Sequence, residues 1–321
     1  MQSLNYYLES LEIEIKQLDL PNEPNNLYDP LRYFLDLGGK RIRPILTLLA
    51  GKLFEADPKE AMNAAIAVEL FHNFTLIHDD IMDNAPLRRN KKTVHEKWNT
   101  NIGILSGDVL FVKAYEFLGN CPKEHLKNLF FVFTKTAKEV CEGQQMDMDF
   151  ETREVVSEID YLEMIRLKTS VLLGCALEMG AILGVASEED QRLVYKFGEQ
   201  LGIAFQIQDD ILDLFGNPEK VGKQLGGDVI CNKKTLLSIS AKNIANELQL
   251  VELLALESEE NHEYKVNRTK ELYLELGVKE KCVDHMKKHY EIAMNALTQI
   301  NSTQSKKELI DLADFLFHRE H

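Results

Sequence analysis

FTLIHDDIMDNAPLRR, residues 74–89, and FQIQDDILDLFGNP, residues 205–218, decide the fold. Each carries a long apolar run into Asp-Asp-x-x-Asp: Asp79, Asp80 and Asp83 in the first, Asp209, Asp210 and Asp213 in the second. Three carboxylates packed this tightly repel one another, and become tolerable when something strongly cationic sits among them. On a helix Asp79 and Asp83 lie one above the other, as do Asp209 and Asp213. Asp80 and Asp210 sit about 100° round the wheel, where they can reach water ligands or a neighbouring ion. Pro86 and Gly216-Asn217-Pro218 place both clusters near helix C-termini, where the macrodipole favours cations over carboxylates. Bound metal removes that penalty. Carboxylate oxygens suit magnesium, which keeps waters and bridges to phosphate. Zinc would recruit His or Cys, and His78, beside Asp79, points another way round the helix. A solvated helix face accounts for one such pattern, but poorly for two on apolar helices.

Working outward, the chain is helix-period throughout. The spacing predicts helices over about 3–19, 59–83, 105–118, 124–143 (ending at Gly143), 158–183 with Ser157 as its cap, and 188–215. Two or three amphipathic helices follow, the last capped by Ser305. Pro21–Pro30 reads as a polar connection, Gly38-Gly39 as a break, and Pro44 as a first-turn proline. Residues 84–95 form a basic loop and 216–235 a Gly-Lys-rich one. No stretch alternates as a strand does. The fold class is therefore all-α, with many long helices suggesting a large bundle around a central cavity.

The 321 residues supply ample core for one large domain or two tightly joined ones. A net charge of −15 argues against nucleic-acid binding. The N-terminus MQSLNYYLESLEIEI has no basic n-region, so no signal peptide is expected, and no apolar run reaches membrane-spanning length. The five cysteines, Cys121, Cys141, Cys175, Cys231 and Cys282, are widely spaced and read as free thiols in a reducing cytoplasm.

Basic residues sit near both clusters. Lys40, Arg41 and Arg43 follow the double glycine, and Arg88, Arg89, Lys91 and Lys92 follow the first cluster. Lys223, Lys233 and Lys234 follow the second, and Lys168-Thr169 interrupts an apolar helix. Arginine forks and lysine point charges bind phosphate oxygens. Ordinary solvated charge accounts best for Lys92 and Lys234 and least well for Lys168, beside a threonine in an apolar stretch. The combination fits one anion held through metal and another held directly by cations.

LIHDDIMDNAPLRR, GGKRIRP (38–44) and the second cluster with GKQLGGDVICNKKT (222–235) together resemble the motifs of the trans-isoprenyl diphosphate synthases, the polyprenyl synthetase family, over nearly the whole chain. The resemblance implies a single domain over 1–321, an isoprenoid synthase helical bundle, and a homodimer. The apolar helix 105–118 is a candidate for part of the dimer surface, and a core role explains it equally well. It implies head-to-tail prenyl transfer from allylic diphosphates (dimethylallyl, geranyl, farnesyl) to isopentenyl diphosphate, with magnesium as cofactor, about three ions when the allylic diphosphate is bound. By the same resemblance Asp79, Asp83 and Asp209 bind magnesium, supported by Asp80, Asp210 and Asp213. Arg88, Lys168 and Lys223 hold the allylic diphosphate, with Lys233 close by. Gly39, Lys40, Arg43, His72 and Arg89 hold isopentenyl diphosphate, while Thr169 and Gln206 face the reacting carbons. Asn90 stands where the family commonly has glycine.

Other readings differ in testable features. A class I terpene cyclase normally replaces the second aspartate cluster and lacks a GGKRIRP-type site. A non-catalytic partner subunit should have lost carboxylates from a cluster. A helical scaffold leaves the paired clusters unexplained, and a long-chain synthase differs only in product. The resemblance points to Phe74 as a bulky stop for a C20 or C15 product. Helical geometry puts Thr75 nearer the Asp79 face and leaves Phe71, Phe111 and Tyr115 as alternative walls.

Overall fold

The computed structural model describes residues 2–216 and 225–317. Apart from one two-residue ladder, its regular structure is helical. The helices are α1 (Gln2–Lys16), α2 (Asn25–Leu35), α3 (Ile42–Leu53), α4 (Pro58–Met82), α5 (Val94–Lys97), α6 (Thr100–Gly119), α7 (Lys123–Thr152) and α8 (Glu158–Ile165). A π-helical turn, Arg166–Ser170, joins α8 to α9 (Val171–Leu183), and α10 (Glu188–Phe215) follows. After these come α11 (Gly227–Ile230), α12 (Leu236–Ile244), α13 (Glu247–Glu257), α14 (His262–Glu275), α15 (Val278–Gln299) and α16 (Lys307–Phe317).

Two compact units result. One comprises Met1–Thr134, Cys175–Val194 and Asn301–Leu309, the other Lys135–Gly174, Tyr195–Ile300 and Ile310–His321. The first unit carries the first aspartate cluster and the second carries the other.

In the first unit α4 packs along α3 and α6. Its start is fixed by Asp57, whose side chain accepts the N–H groups of Lys59 and Glu60 at 2.9 and 3.2 Å, with Pro58 in the first turn. A near-continuous buried run, Ala64 to Phe71, follows. Burial of that length holds the helix rigid up to the carboxylates at its end. On α6, Leu110, Ala114 and Leu118 are buried, whereas Ile104, Leu105 and Val112 are exposed. In the second unit, Tyr161, Ile165, Ile207, Ile211, Leu214 and Leu236 belong to one hydrophobic core beneath the second cluster.

Several sequence expectations need correction. Pro21–Pro30 is not merely a connection: α2 starts at Asn25 and contains Pro30, because Pro30, Leu31, Phe34 and Leu35 form a buried stripe that outweighs the lost backbone donor. The helix expected to end at Gly143 continues to Thr152. The basic loop contains the ladder Leu87–Arg88 with Lys91–Lys92, turned through Arg89 and Asn90 at positive φ. The loop after the second cluster includes α11. Segment 158–183 is helical as expected, with Ser157 and Asp160 forming a capping box, but it changes pitch at Arg166–Ser170.

Candidate active site

In the first unit the end of α4, the β-ladder and the GGKRIRP segment meet. Asp80 is 2% exposed. Arg88 Nε donates to both its oxygens at 2.9 Å, and Arg88 Nη2 lies 2.8 Å from Oδ1. Asp79 lies farther from the same guanidinium, at 3.8 Å, and Asp83 is exposed. Burial raises the Asp80 pKa, against the pull of Arg88. His78 turns away from the cluster, its Nε2 3.1 Å from the carbonyl of Ile104.

The GGKRIRP segment breaks from α2 through Gly38 at φ +73 and Gly39 at φ +156. A Cβ on Gly39 would stand 2.9 Å from Arg89 Nη2, so glycine lets that guanidinium lie against the backbone. Arg43 donates to His72 Nε2 at 3.0 Å. An arginine is always a donor, so His72 accepts here as a neutral ring. Burial, then the charges of Arg43, Arg88, Arg89 and Arg41, push the His72 pKa well below its ordinary value. Burial and the like charges of Arg41 and Arg88 also lower the Arg89 pKa. Guanidinium groups this crowded favour an anion among them.

Arg41, which the sequence groups with the phosphate-binding basic residues, is fully buried. It bonds Glu12 at 2.7 Å, Glu69 at 2.6 Å and the Leu35 carbonyl at 3.1 Å. Asn73 donates to Glu69 at 2.9 Å. This network ties α1, α3 and α4 behind Lys40 and Arg43, although Arg41 itself has φ +48.

The second unit assembles a corresponding set. Asp210, 6% exposed, accepts the hydroxyl of Tyr161. Gln206 Nε2 lies 3.4 Å from its other oxygen, and Thr169 donates to Gln206 Oε1 at 3.3 Å. Burial, then Asp228, push the Asp210 pKa up to about 8, while the bonds from Tyr161 and Gln206 work against that rise. Asp213 accepts the backbone N–H of Asp228 at 3.1 Å. Lys233 Nζ lies 3.7 Å from Asp228 Oδ1.

Lys168 and Thr169 sit in the π-helical turn, a local geometry frequent at functional sites. Two glycines make room for it. A Cβ on Gly143 would come within 2.2 Å of Lys168 N, and one on Gly202 within 2.7 Å of Ser170 Cα. Lys168 Nζ donates to Asp147 at 2.6 Å. Lys223 lies outside the described residues.

Asp147, Tyr161 and Asp228 were not singled out from the sequence. Tyr161 stands seven residues before Lys168, two helical turns on one face, and Asp147 lies one turn beyond Gly143. Those spacings are the available signal for Tyr161 and Asp147; the place of Arg41 between Lys40 and Arg43 points instead to a phosphate ligand.

The donor set fits magnesium. Each cluster offers only carboxylate oxygens, with its middle carboxylate already engaged by a protein donor and its outer two on one helix face. Among the described residues no three His, Cys, Asp or Glu side chains form a ready-made cage. A magnesium site needs no such cage: one or two carboxylates suffice when water and phosphate complete the shell.

This fold and these motifs define an all-α transferase acting on prenyl diphosphates. The Polyprenyl synthetase family model matches residues 24–274, and the chain belongs to that family. It is 38% identical over 310 residues to a geranylgeranyl pyrophosphate synthase of Geoglobus acetivorans, covering 96% of this chain and 95% of that protein. It is 34% identical to a geranylfarnesyl diphosphate synthase of Natronomonas pharaonis, covering 93% and 92%. The crystal structure of a geranylgeranyl pyrophosphate synthetase from Pyrococcus horikoshii superposes with a TM-score of 0.93 at 34% identity, covering 99% of each chain. The chain is a trans-prenyltransferase with the isoprenoid synthase fold. No described helix is long and apolar enough to cross a membrane.

Proposed function

We propose that the chain condenses isopentenyl diphosphate with allylic diphosphates, head to tail and with magnesium, releasing pyrophosphate and ending at geranylgeranyl diphosphate, with farnesyl diphosphate the next choice. The observation that carries this reading is the doubled Asp-Asp-x-x-Asp. In each copy the middle carboxylate is buried on a protein donor, Arg88 for Asp80 and Tyr161 for Asp210. The C20 assignment draws on the Geoglobus relative and on the bulky Phe74 before the first cluster.

In this proposal Asp79, Asp83 and Asp209 bind magnesium directly, while Asp80, Asp210 and Asp213 hold the clusters in shape. Arg88, Lys168 and Lys223 grip the allylic diphosphate, with Lys233 nearby. Gly39, Lys40, Arg43, His72 and Arg89 hold isopentenyl diphosphate, whose negative charge relieves the crowded guanidiniums. About three magnesium ions would neutralise the leaving diphosphate as its C–O bond breaks. Thr169 Oγ1 and Gln206 Oε1 present lone pairs to the allylic cation. The double bond of isopentenyl diphosphate attacks that cation, and the proton lost afterwards passes to the departing pyrophosphate. We place the enzyme in the cytoplasm as a homodimer whose two compact units work as one domain.

The test is an assay with labelled isopentenyl diphosphate and each allylic primer in turn, with and without chelator, followed by chromatography of the products. A C20 product made only with magnesium supports the proposal. Full activity in chelator overturns the metal role, and a long-chain product overturns the assigned length.

A further inference from the structure

We propose that Lys265 is a positioning residue for the second aspartate cluster, acting through the short helix α11; this rests on the function proposed above. Lys265 is 4% exposed. Among the described residues its ammonium meets two carbonyls, those of Ile230 at 3.3 Å and Glu257 at 3.1 Å. These are the last residues of α11 and α13, so the cation caps the free carbonyls at two helix ends and the dipole of the longer α13 favours it there. Asn232 donates to the same Glu257 carbonyl at 3.0 Å. The Glu257 carboxylate is taken by Lys242 at 2.6 Å.

A buried lysine held by neutral oxygens alone is costly, because its charge loses water without gaining a carboxylate. What it secures is the segment that closes on the cluster. The N–H of Gly226 donates to the Asp213 carbonyl at 2.7 Å, and that of Asp228 to Asp213 Oδ2 at 3.1 Å. The N–H of Lys233 returns to the Asp228 carbonyl at 2.9 Å. The next residue of α14 completes the contact: Gly226 has φ +77, and a Cβ there would meet Val266 Cγ1 at 2.6 Å. Lys265 and Val266 thus fasten α11 from behind while its front holds Asp213.

The test compares Lys265→Met, Lys265→Gln, Asn232→Gly and Lys242→Met with the unsubstituted chain by hydrogen exchange and by kinetics. In Lys265→Met the amides of Gly226, Asp228 and Lys233 should exchange about tenfold faster, with α15 unchanged. The magnesium concentration for half-maximal rate and the allylic KM should rise at least about fivefold, with the isopentenyl diphosphate KM unmoved. Lys265→Gln keeps N–H donors and should recover part of both effects. Asn232→Gly, an exposed change that suits the left-handed backbone (φ +53) and removes the bond to the Glu257 carbonyl, should give a smaller shift in the same direction. Lys242→Met, which touches only the carboxylate of Glu257, should leave exchange at these amides unchanged. Unchanged exchange at the three amides in both Lys265→Met and Asn232→Gly overturns the proposal. So does faster exchange with kinetics that follow only the fall in Tm. A wild-type protein without prenyl transfer would instead overturn the functional reading, leaving the exchange result to stand for the contact.

Discussion

Tyr161 donates its hydroxyl to Asp210 across 49 residues of sequence, and both side chains are buried. The first cluster solves the same problem differently, setting the Arg88 guanidinium on Asp80. A cation favours the ionised carboxylate far more than a phenol does. Identical motifs therefore meet their middle carboxylates with donors of unequal charge.

That inequality predicts a pH-dependent response to magnesium. The folded-state pKa of Asp210, about 8, lies above its ordinary value. Without metal, the folded chain binds a proton there that the unfolded chain has lost, so stability falls as pH rises towards about 8. Magnesium favours the carboxylate. The Tm gained on adding magnesium should therefore grow as pH rises through this window. Tyr161→Phe removes a bond that lowers the pKa, so the growth should shift to higher pH. Thermal melts at several pH values, with and without magnesium, check both; a gain independent of pH would contradict them.

Direct and supporting carboxylates should separate kinetically. Asp79→Ala and Asp209→Ala should lower kcat by about 100-fold or more, the scale for loss of a metal ligand that acts in the transition state. Asp80→Asn should cost less turnover, since Asp80 is bonded to Arg88, but should raise the allylic KM. Equal losses in all three variants would erase the distinction.

The two anion sites should separate by substrate. Lys40→Ala and Arg43→Ala should mainly raise the KM for isopentenyl diphosphate. Lys168→Ala should act on the allylic KM and also leave Asp147 without its ammonium. Steady-state kinetics with each substrate varied decides it, and identical effects on both KM values reject the assignment.

The π-helical turn offers a packing test. Gly143→Ala would drive a methyl group into the backbone at Lys168. Overpacking of this kind costs about 1–3 kcal/mol. Turnover should fall beyond what the loss of stability explains, because Lys168 and Thr169 must move. Gly119→Ala is the control, since nothing lies within 4 Å of its added Cβ. Equal turnover in the two variants would remove the link.

The same region shows what the sequence could carry. Long apolar runs set the bounds of α4 and α10 within a residue, because burial and caps act locally. The clusters were legible because i, i+4 spacing is fixed by the helix. Gly143 was read as a helix end because a glycine that terminates a helix and one that admits a neighbour look alike without knowledge of the neighbour. Arg41 looked like one more phosphate ligand, and only the distant Glu12 and Glu69 turn it inward. Tyr161 owes its place to a partner 49 residues away.

Product length is the sharpest remaining prediction. Phe71 is 1% exposed and touches Phe74, Phe111 and Phe133, with ring centroids 5.4–5.6 Å apart. Phe74 is only half-buried. It stacks on Phe111 at 4.9 Å and meets the His78 ring edge-on at 4.7 Å. Phe74 and Phe111 thus form one flat layer between α4 and α6, with Phe71 behind it. If that layer is the floor of the chain pocket, Phe74→Ala should admit further five-carbon units and lengthen the product. Phe111→Ala should do the same less strongly, because Phe74 remains. Thr75 is smaller, and its hydroxyl is bonded to the His72 carbonyl at 2.8 Å, so Thr75→Ala should leave length unchanged. Phe71→Ala should chiefly lower stability, by about 3–5 kcal/mol for a core phenylalanine. Chromatography of products from the four variants reads the result. An unchanged length for Phe74→Ala with a longer one for Phe71→Ala would move the floor to Phe71, and a wild-type product of about forty carbons would remove a floor at this depth altogether.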